Sequence, residues 1–162
     1  PDLIIENCSS GGLRMDYAML SRYSIQSTSD QDDYKKYCTI AANSPTALCP
    51  EQSAIWAYPI TSGDREEVVF NMINAMLLRI HQSGHLGNID PERKALVKEA
   101  ISVYKKIRAD IKEAVLELGT VQIFGRLGIS RSEKRQQGLS CRMEERGQER
   151  HLRFAYRLPQ GY

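Results

Sequence analysis

Leu3-Ile4-Ile5-Glu6-Asn7-Cys8-Ser9-Ser10-Gly11-Gly12 decides the fold, because a short branched apolar run passes at once into a loop of small residues. Leu3 to Glu6 reads as a buried strand, and a candidate helix follows near Asp16 to Ser21, which completes a strand, loop, helix unit. The same order then returns. Tyr23 to Thr28 reads as a strand and Ser29-Asp30-Gln31 as its exit loop. Asp32 to Ala42 reads as a helix whose positive end favours Asp32 and Asp33. A third strand is expected at Thr46 to Cys49, followed by a loop through Pro50, Trp56 and Pro59. Asp64 to about Asn74 reads as helix, with Ser62 or Asp64 to cap it and Glu66 and Glu67 in its first turn. Ala75 to Ile80 either continues that helix or forms a fourth strand, and so short an apolar run leaves both readings open.

A long helix should begin at Asp90 as N-cap with Pro91 in its first turn. Leu96, Ala100, Tyr104, Ile107, Ile111, Val115 and Leu118 recur at steps of three and four, and Gly119 would stop it. Short apolar strands alternating with helices point to an α/β fold with a parallel sheet, either a barrel or a doubly wound sheet. Three or four units are visible, and a complete eightfold barrel takes about 250 residues, so this would be about half of one.

The totals exclude more than they select. At 162 residues, with 41% apolar and 26% charged side chains, the chain can fill one core and is not of disordered composition. A net charge of +2 makes no field for a nucleic acid or an anionic membrane, which disfavours both as partners. The longest apolar run, around Ala75 to Ile80, is far short of the roughly 20 residues that span a bilayer. Cys8, Cys38, Cys49 and Cys141 lack metal-ligand spacing, so reduced thiols in a cytoplasm are the default. Pro1 is not an initiator and Leu3 begins a strand at once, so the chain is expected to be an excerpt.

In such a fold the loops after the strands make the active face. Gly11 and Gly12 carry no Cβ, so a ligand could approach the backbone there. The same pair is equally readable as a turn, and its spacing matches no standard phosphate motif. Asp30, Asp32 and Asp33 read either as caps of the following helix or as chemistry. Asp30 lies just beyond a strand end, which favours the second reading for it alone.

These two loops carry a resemblance. Ile5-Glu6-Asn7-Cys8-Ser9-Ser10-Gly11-Gly12-Leu13-Arg14-Met15-Asp16, with Ser29-Asp30-Gln31-Asp32-Asp33 after it, resembles the paired signature of glycoside hydrolase family 36, the bacterial-type α-galactosidases. There the first stretch runs Glu-Asn-Cys-x-Ser-Gly-Gly-Gly-Arg-x-Asp and the second Ser-Asp-x-x-Asp. Thr61 to Asp90 and Tyr104-Lys105-Lys106-Ile107-Arg108 resemble the last barrel strand and closing helix of the same enzymes. The resemblance implies a partial (β/α)8 TIM barrel, about its last four βα units, over residues 1–118. It also implies that Asp30 is the general acid/base, and that Cys8 and Gly11 touch the galactose hydroxyls while Gly12 shapes the loop. Asp33 would brace the loop, with Arg14 or Asp16 in a supporting pair.

A retaining glycosidase needs two carboxyls, and in this family the nucleophile sits in a Lys-Trp-Asp-x-Asn string that this sequence lacks. The expectation is a fragment of a retaining α-galactosidase that acts on α-galactoside oligosaccharides without a cofactor and is inactive by itself. Its full-length form could be a homo-oligomer. The alternatives are a related α-N-acetylgalactosaminidase or galactosyl transferase, and a noncatalytic carbohydrate-binding or interaction protein. Leu13 in place of the third glycine, and Ser27 where many relatives have Trp, leave the sugar less defined than the reaction class. His81 and His85 stand four apart without the Glu of the zinc-protease pattern, and no metal site is expected.

The character changes after Leu118. Arg126 to Arg157 holds nine Arg or Lys against four Glu with no apolar period, an atypical basic tail over 119–162. The sharper reading is a shifted reading frame. One choice of codons for Leu139 to Gln148, read a base later, encodes Tyr-Leu-Ala-Val-Trp-Lys-Asn-Gly-Asp, which alternates like a strand of a C-terminal β-sandwich.

Overall fold

The computed structural model describes residues 2–8, 11–113, 115–118, 141–145, 148–152 and 154–157. The chain divides into two compact units, Pro1–Arg108 and Ala109–Tyr162. In the first, β1 (Glu6–Asn7), α1 (Tyr17–Leu20), β2 (Ile25–Ser27), α2 (Tyr34–Asn43), β3 (Ser53–Ala57), α3 (Arg65–Met76) and β4 (Arg79–Gln82) alternate, and α4 (Pro91–Glu113) begins there and ends in the second. The strands form one parallel sheet in the order β1-β2-β3-β4. A doubly wound sheet reverses its strand order at a switch point. This order has no reversal among the described strands and is consistent with adjacent units of a barrel.

Local chemistry explains each start and stop. Asp16, Asp33 and Asp64 each turn a carboxylate back onto the first amides of α1, α2 and α3. α3 is buried on both sides, from Val68 and Phe70 to Met72 and Ala75, because it packs on α2 and along β3 and β4. Asn74 donates to the Tyr34 carbonyl at 2.9 Å and ties α3 to α2. The run at 75–80 resolves into both readings: Ala75 and Met76 end α3, and Arg79 and Ile80 open β4.

Three expectations are corrected. Leu3 to Ile5, expected in a buried strand, are exposed, and the strand is Glu6–Asn7 at one end of the sheet, where among the described strands only β2 pairs with it. Ser44–Thr46 is a 3-10 turn, not the start of a strand, because Pro45 sits in its first turn and Ser44 and Thr46 bond back to the Ile40 and Asn43 carbonyls. The third strand is Ser53–Ala57, buried at every position but Trp56, inside what read as a loop. The long helix stops at Glu113, and Val115–Leu118 forms β5 instead. Its backbone groups pair antiparallel with β8 (Phe154–Arg157), a partner no local pattern announces. In the same unit β6 (Cys141–Glu145) pairs antiparallel with β7 (Gln148–Leu152). Gly119 and the stretch 119–140, where the basic tail begins and a frame change was sought, lie outside the described residues.

Side chains alternate across a strand, so the register places Glu6, Ser27, Trp56 and His81 on one face of the sheet. On the other face Ile55 and Ala57 are fully buried. Glu6 Oε1 lies 3.4 Å from His81 Nδ1, although β1 and β4 are separated by two strands. Three inter-strand steps would set them about 14 Å apart in a flat sheet. The sheet therefore curves toward this face, which is concave.

Candidate active site

The exit loops of β1 and β2 interlock. Gly11 and Gly12 adopt φ of 60° and 92°, the left-handed region that a Cβ disfavours. A Cβ on Gly11 would lie 3.0 Å from the Asp30 backbone nitrogen, and one on Gly12 would lie 2.9 Å from the Thr28 carbonyl oxygen. The glycines thus let one loop rest on the backbone of the other. Asn7, buried on β1, fixes the turn from below: its amide donates to Gln26 Oε1 at 2.7 Å and to the Arg14 carbonyl at 3.3 Å.

The structure brings Gly11, Gly12 and Asp30 together, and Cys8 stands exposed just past the end of β1. Asp30 is exposed and its carboxylate makes no hydrogen bond or ion pair among the described residues. Asp33 caps α2 through the Lys35 and Lys36 amides, at 2.9 and 3.3 Å. Asp16 spends its carboxylate on the Met19 amide of α1 at 3.0 Å, and forms no ion pair with Arg14.

A buried hydroxyl pair is formed by residues on either side of Asp30 in sequence, Thr28 and Tyr37. Thr28 Oγ1 donates to the Ala54 carbonyl at 2.8 Å, so its single proton is used, and the Tyr37 hydroxyl 2.8 Å away must be the donor to it. The Tyr37 oxygen in turn accepts the Trp56 amide at 3.2 Å. Burial pushes the Tyr37 phenol up from its ordinary value, and the negative charge of Asp30 adds to the rise.

On the concave face Trp56 donates its indole N–H to Ser27 Oγ at 3.0 Å and meets His81 edge to face at 5.1 Å. Burial lowers the His81 pKa more than the Glu6 carboxylate raises it, which keeps the imidazole neutral near pH 7. The β3 and β4 exit loops interlock as the first pair does. Gly84, at φ of 76°, sits where a Cβ would come within 2.6 Å of the Pro59 carbonyl, and His85 Nδ1 accepts the Thr61 amide at 3.0 Å. Arg93, buried on α4, bonds Asp90 and donates to the Ile60, Thr61 and Gly63 carbonyls. Burial raises the pKa of Glu67, whose Oε1 accepts the Ile60 amide at 3.3 Å.

Tyr37, Trp56 and Arg93 were absent from the candidates read in sequence, Glu6 entered only as part of a motif, and His81 was weighed only as half of a metal pair with His85. Trp56 was hidden by the loop reading of 50–59, although it is the only Trp in the chain. The Glu6 and His81 contact joins residues 75 apart in sequence, beyond the reach of any local pattern.

No family model matches this sequence, and no curated protein matches it. Solved structures do. The glycoside hydrolase family 36 α-galactosidase AgaA of Geobacillus stearothermophilus, in complex with 1-deoxygalactonojirimycin, aligns at 19% identity and a TM-score of 0.61 over 68% of this chain. The galactosidase domain of the α-galactosidase-sucrose kinase AgaSK aligns at 25% identity and a TM-score of 0.62 over 72% of it. AgaB of Geobacillus stearothermophilus aligns at 21% and 0.59. An AgaA variant among the matches is in complex with raffinose. The chain therefore has the fold of part of a family 36 α-galactosidase, and it spans only 16–17% of the length of these proteins.

Proposed function

We propose that this chain is the acid/base-bearing portion of a retaining α-galactosidase barrel, with Asp30 as general acid/base and the nucleophilic carboxylate supplied by polypeptide outside it. The observation that carries this reading is the packing of the Gly11-Gly12 turn directly on the Asp30 backbone, within a fold shared with solved α-galactosidases. Asp30 protonates the departing glycosidic oxygen as the nucleophile attacks the anomeric carbon. Its conjugate base then takes a proton from the water that opens the glycosyl ester. Cys8 and the backbone at Gly11 meet the sugar hydroxyls, while Asp33 and Asp16 keep their loops in place through the caps described above. The exposure of Asp30 leaves its carboxyl open to a ligand. The bound raffinose and iminosugar of the neighbours support a galactoside as that ligand. The full protein, on this reading, works in the cytoplasm on oligosaccharides and needs no cofactor.

The test uses 1-deoxygalactonojirimycin, whose amine is cationic at neutral pH. Titrated into the pure chain and followed through Trp56 fluorescence, it should bind saturably, and Asp30→Asn should weaken it by about tenfold, the loss of one ion pair worth ~1.4 kcal/mol. An aryl α-galactoside should not be cleaved by the chain alone, since one carboxyl cannot complete a double displacement. Absent binding, or binding indifferent to Asp30→Asn, defeats the assignment, as does turnover by the isolated chain.

A further inference from the structure

Asp30 presents a difficulty that the fold resolves elsewhere. A general acid must be held to within about half an ångström of its acceptor, yet this carboxylate has no hydrogen bond or ion pair of its own among the described residues. Its position is inherited from the loop that carries it. We propose that the Tyr37 and Thr28 hydroxyls form the positioning device for Asp30, an inference that rests on the acid/base reading of that residue.

Three observations carry it. The first is directional. The chain runs from the Trp56 amide to the Tyr37 oxygen, from the Tyr37 hydroxyl to Thr28 Oγ1, and from Thr28 Oγ1 to the Ala54 carbonyl. Every proton has one destination, so the chain has a single arrangement and cannot rotate into another without leaving a buried group unpaired. The second is placement. Thr28 is 2% exposed and Tyr37 is 2% exposed, and they bracket Asp30 in sequence from just past the end of β2 and from within α2. The third is connection. The Gly12 and Gly11 turn rests on the backbone of Thr28 and Asp30, so what fixes Thr28 fixes the segment that carries the carboxylate, and the negative charge of Asp30 adds to the rise of the Tyr37 phenol.

The remaining loop contacts are weaker anchors. Ser29 Oγ accepts the Gln31 amide at 3.1 Å and Gln31 Oε1 accepts the Asp33 amide at 3.0 Å, both in a part-buried setting open to water. The hydroxyl pair adds side-chain bonds to β3 beside the backbone bond from the Thr28 amide to the Ala54 carbonyl at 3.3 Å.

A double-mutant cycle on the full chain tests the inference with 1-deoxygalactonojirimycin as probe. Tyr37→Phe should weaken binding by about tenfold in the unsubstituted chain and by little in the Asp30→Asn background, because its effect passes through that carboxylate. Thr28→Val should give the same pattern, while Thr28→Ser, which keeps the hydroxyl, should restore affinity. Should Tyr37→Phe fail to fold, the two Thr28 variants carry the test. Equal weakening in both backgrounds overturns the positioning role and leaves the acid/base reading standing. Failure of the unsubstituted chain to bind the probe removes both.

Discussion

His81 Nδ1 on β4 and Glu6 Oε1 on β1 lie 3.4 Å apart across the concave face, with two strands between their own. This contact joins the outermost strands of the sheet. Because burial dominates, the folded imidazole holds its proton less tightly than its ordinary value of 6.5. Stability from the neutral ring is therefore complete above that value and is lost as pH falls through the lower folded one. Urea midpoints measured from pH 8 to pH 4 should show this loss, and His81→Gln should flatten it. Glu6→Gln should lower the folded imidazole pKa further, read by NMR titration, since it removes the anion that favours the charged ring.

Gly11 and Gly12 should tolerate no side chain. Alanine at either forces a left-handed backbone, worth roughly 1–2 kcal/mol, and adds a close contact with the Asp30 nitrogen or the Thr28 carbonyl. Thermal unfolding of Gly11→Ala and Gly12→Ala should show losses of that size or more, and an unchanged midpoint would mean the two loops do not interlock.

Arg93 gathers the Ile60, Thr61 and Gly63 carbonyls beside Asp90. Arg93→Ala should cost about 1–3 kcal/mol, because it leaves part-buried carbonyl acceptors without their donor, and denaturant unfolding measures it. Hydrogen bonds from Arg93 hold the Asp90 carboxyl down at about 2, below its ordinary 3.8. The clasp is thus complete above 3.8 and is lost as pH falls toward 2, so Asp90→Asn should abolish that acid limb.

Leu3 and Ile4, just before β1, and Leu13 and Tyr17, after it in the chain, are 77%, 70%, 80% and 87% exposed. Among the described strands β1 pairs only with β2, and an open apolar edge promotes association. Sedimentation velocity should find concentration-dependent oligomers, and Leu3→Lys combined with Ile4→Lys should shift them toward monomer. A purely monomeric chain at high concentration would contradict this.

Much of the fold was legible in the residues because caps and glycines act locally. Asp16, Asp33 and Asp64 begin their helices where the sequence placed those starts, and a strand lies within the run at 23–28, whereas the run at 3–6 supplies only Glu6 to its strand. The third strand was missed because Pro50 and Pro59 frame Ser53–Ala57 so closely that turn signals outweighed five residues of strand. The helix end at Glu113 was missed because apolar steps of three and four continue past it, and pairing with residues 154–157 claims that backbone instead.

The sequence by itself determined the alternation of strands and helices, the two loops, and the carboxylate at position 30, since each depends on neighbours a few residues away. Tertiary structure alone decided that the Gly11 turn rests on the Asp30 backbone, that the Tyr37 hydroxyl hydrogen-bonds Thr28 Oγ1, and that Glu6 meets His81. Those relations span from 9 to 75 residues of chain and depend on register and curvature, which side-chain periodicity does not encode.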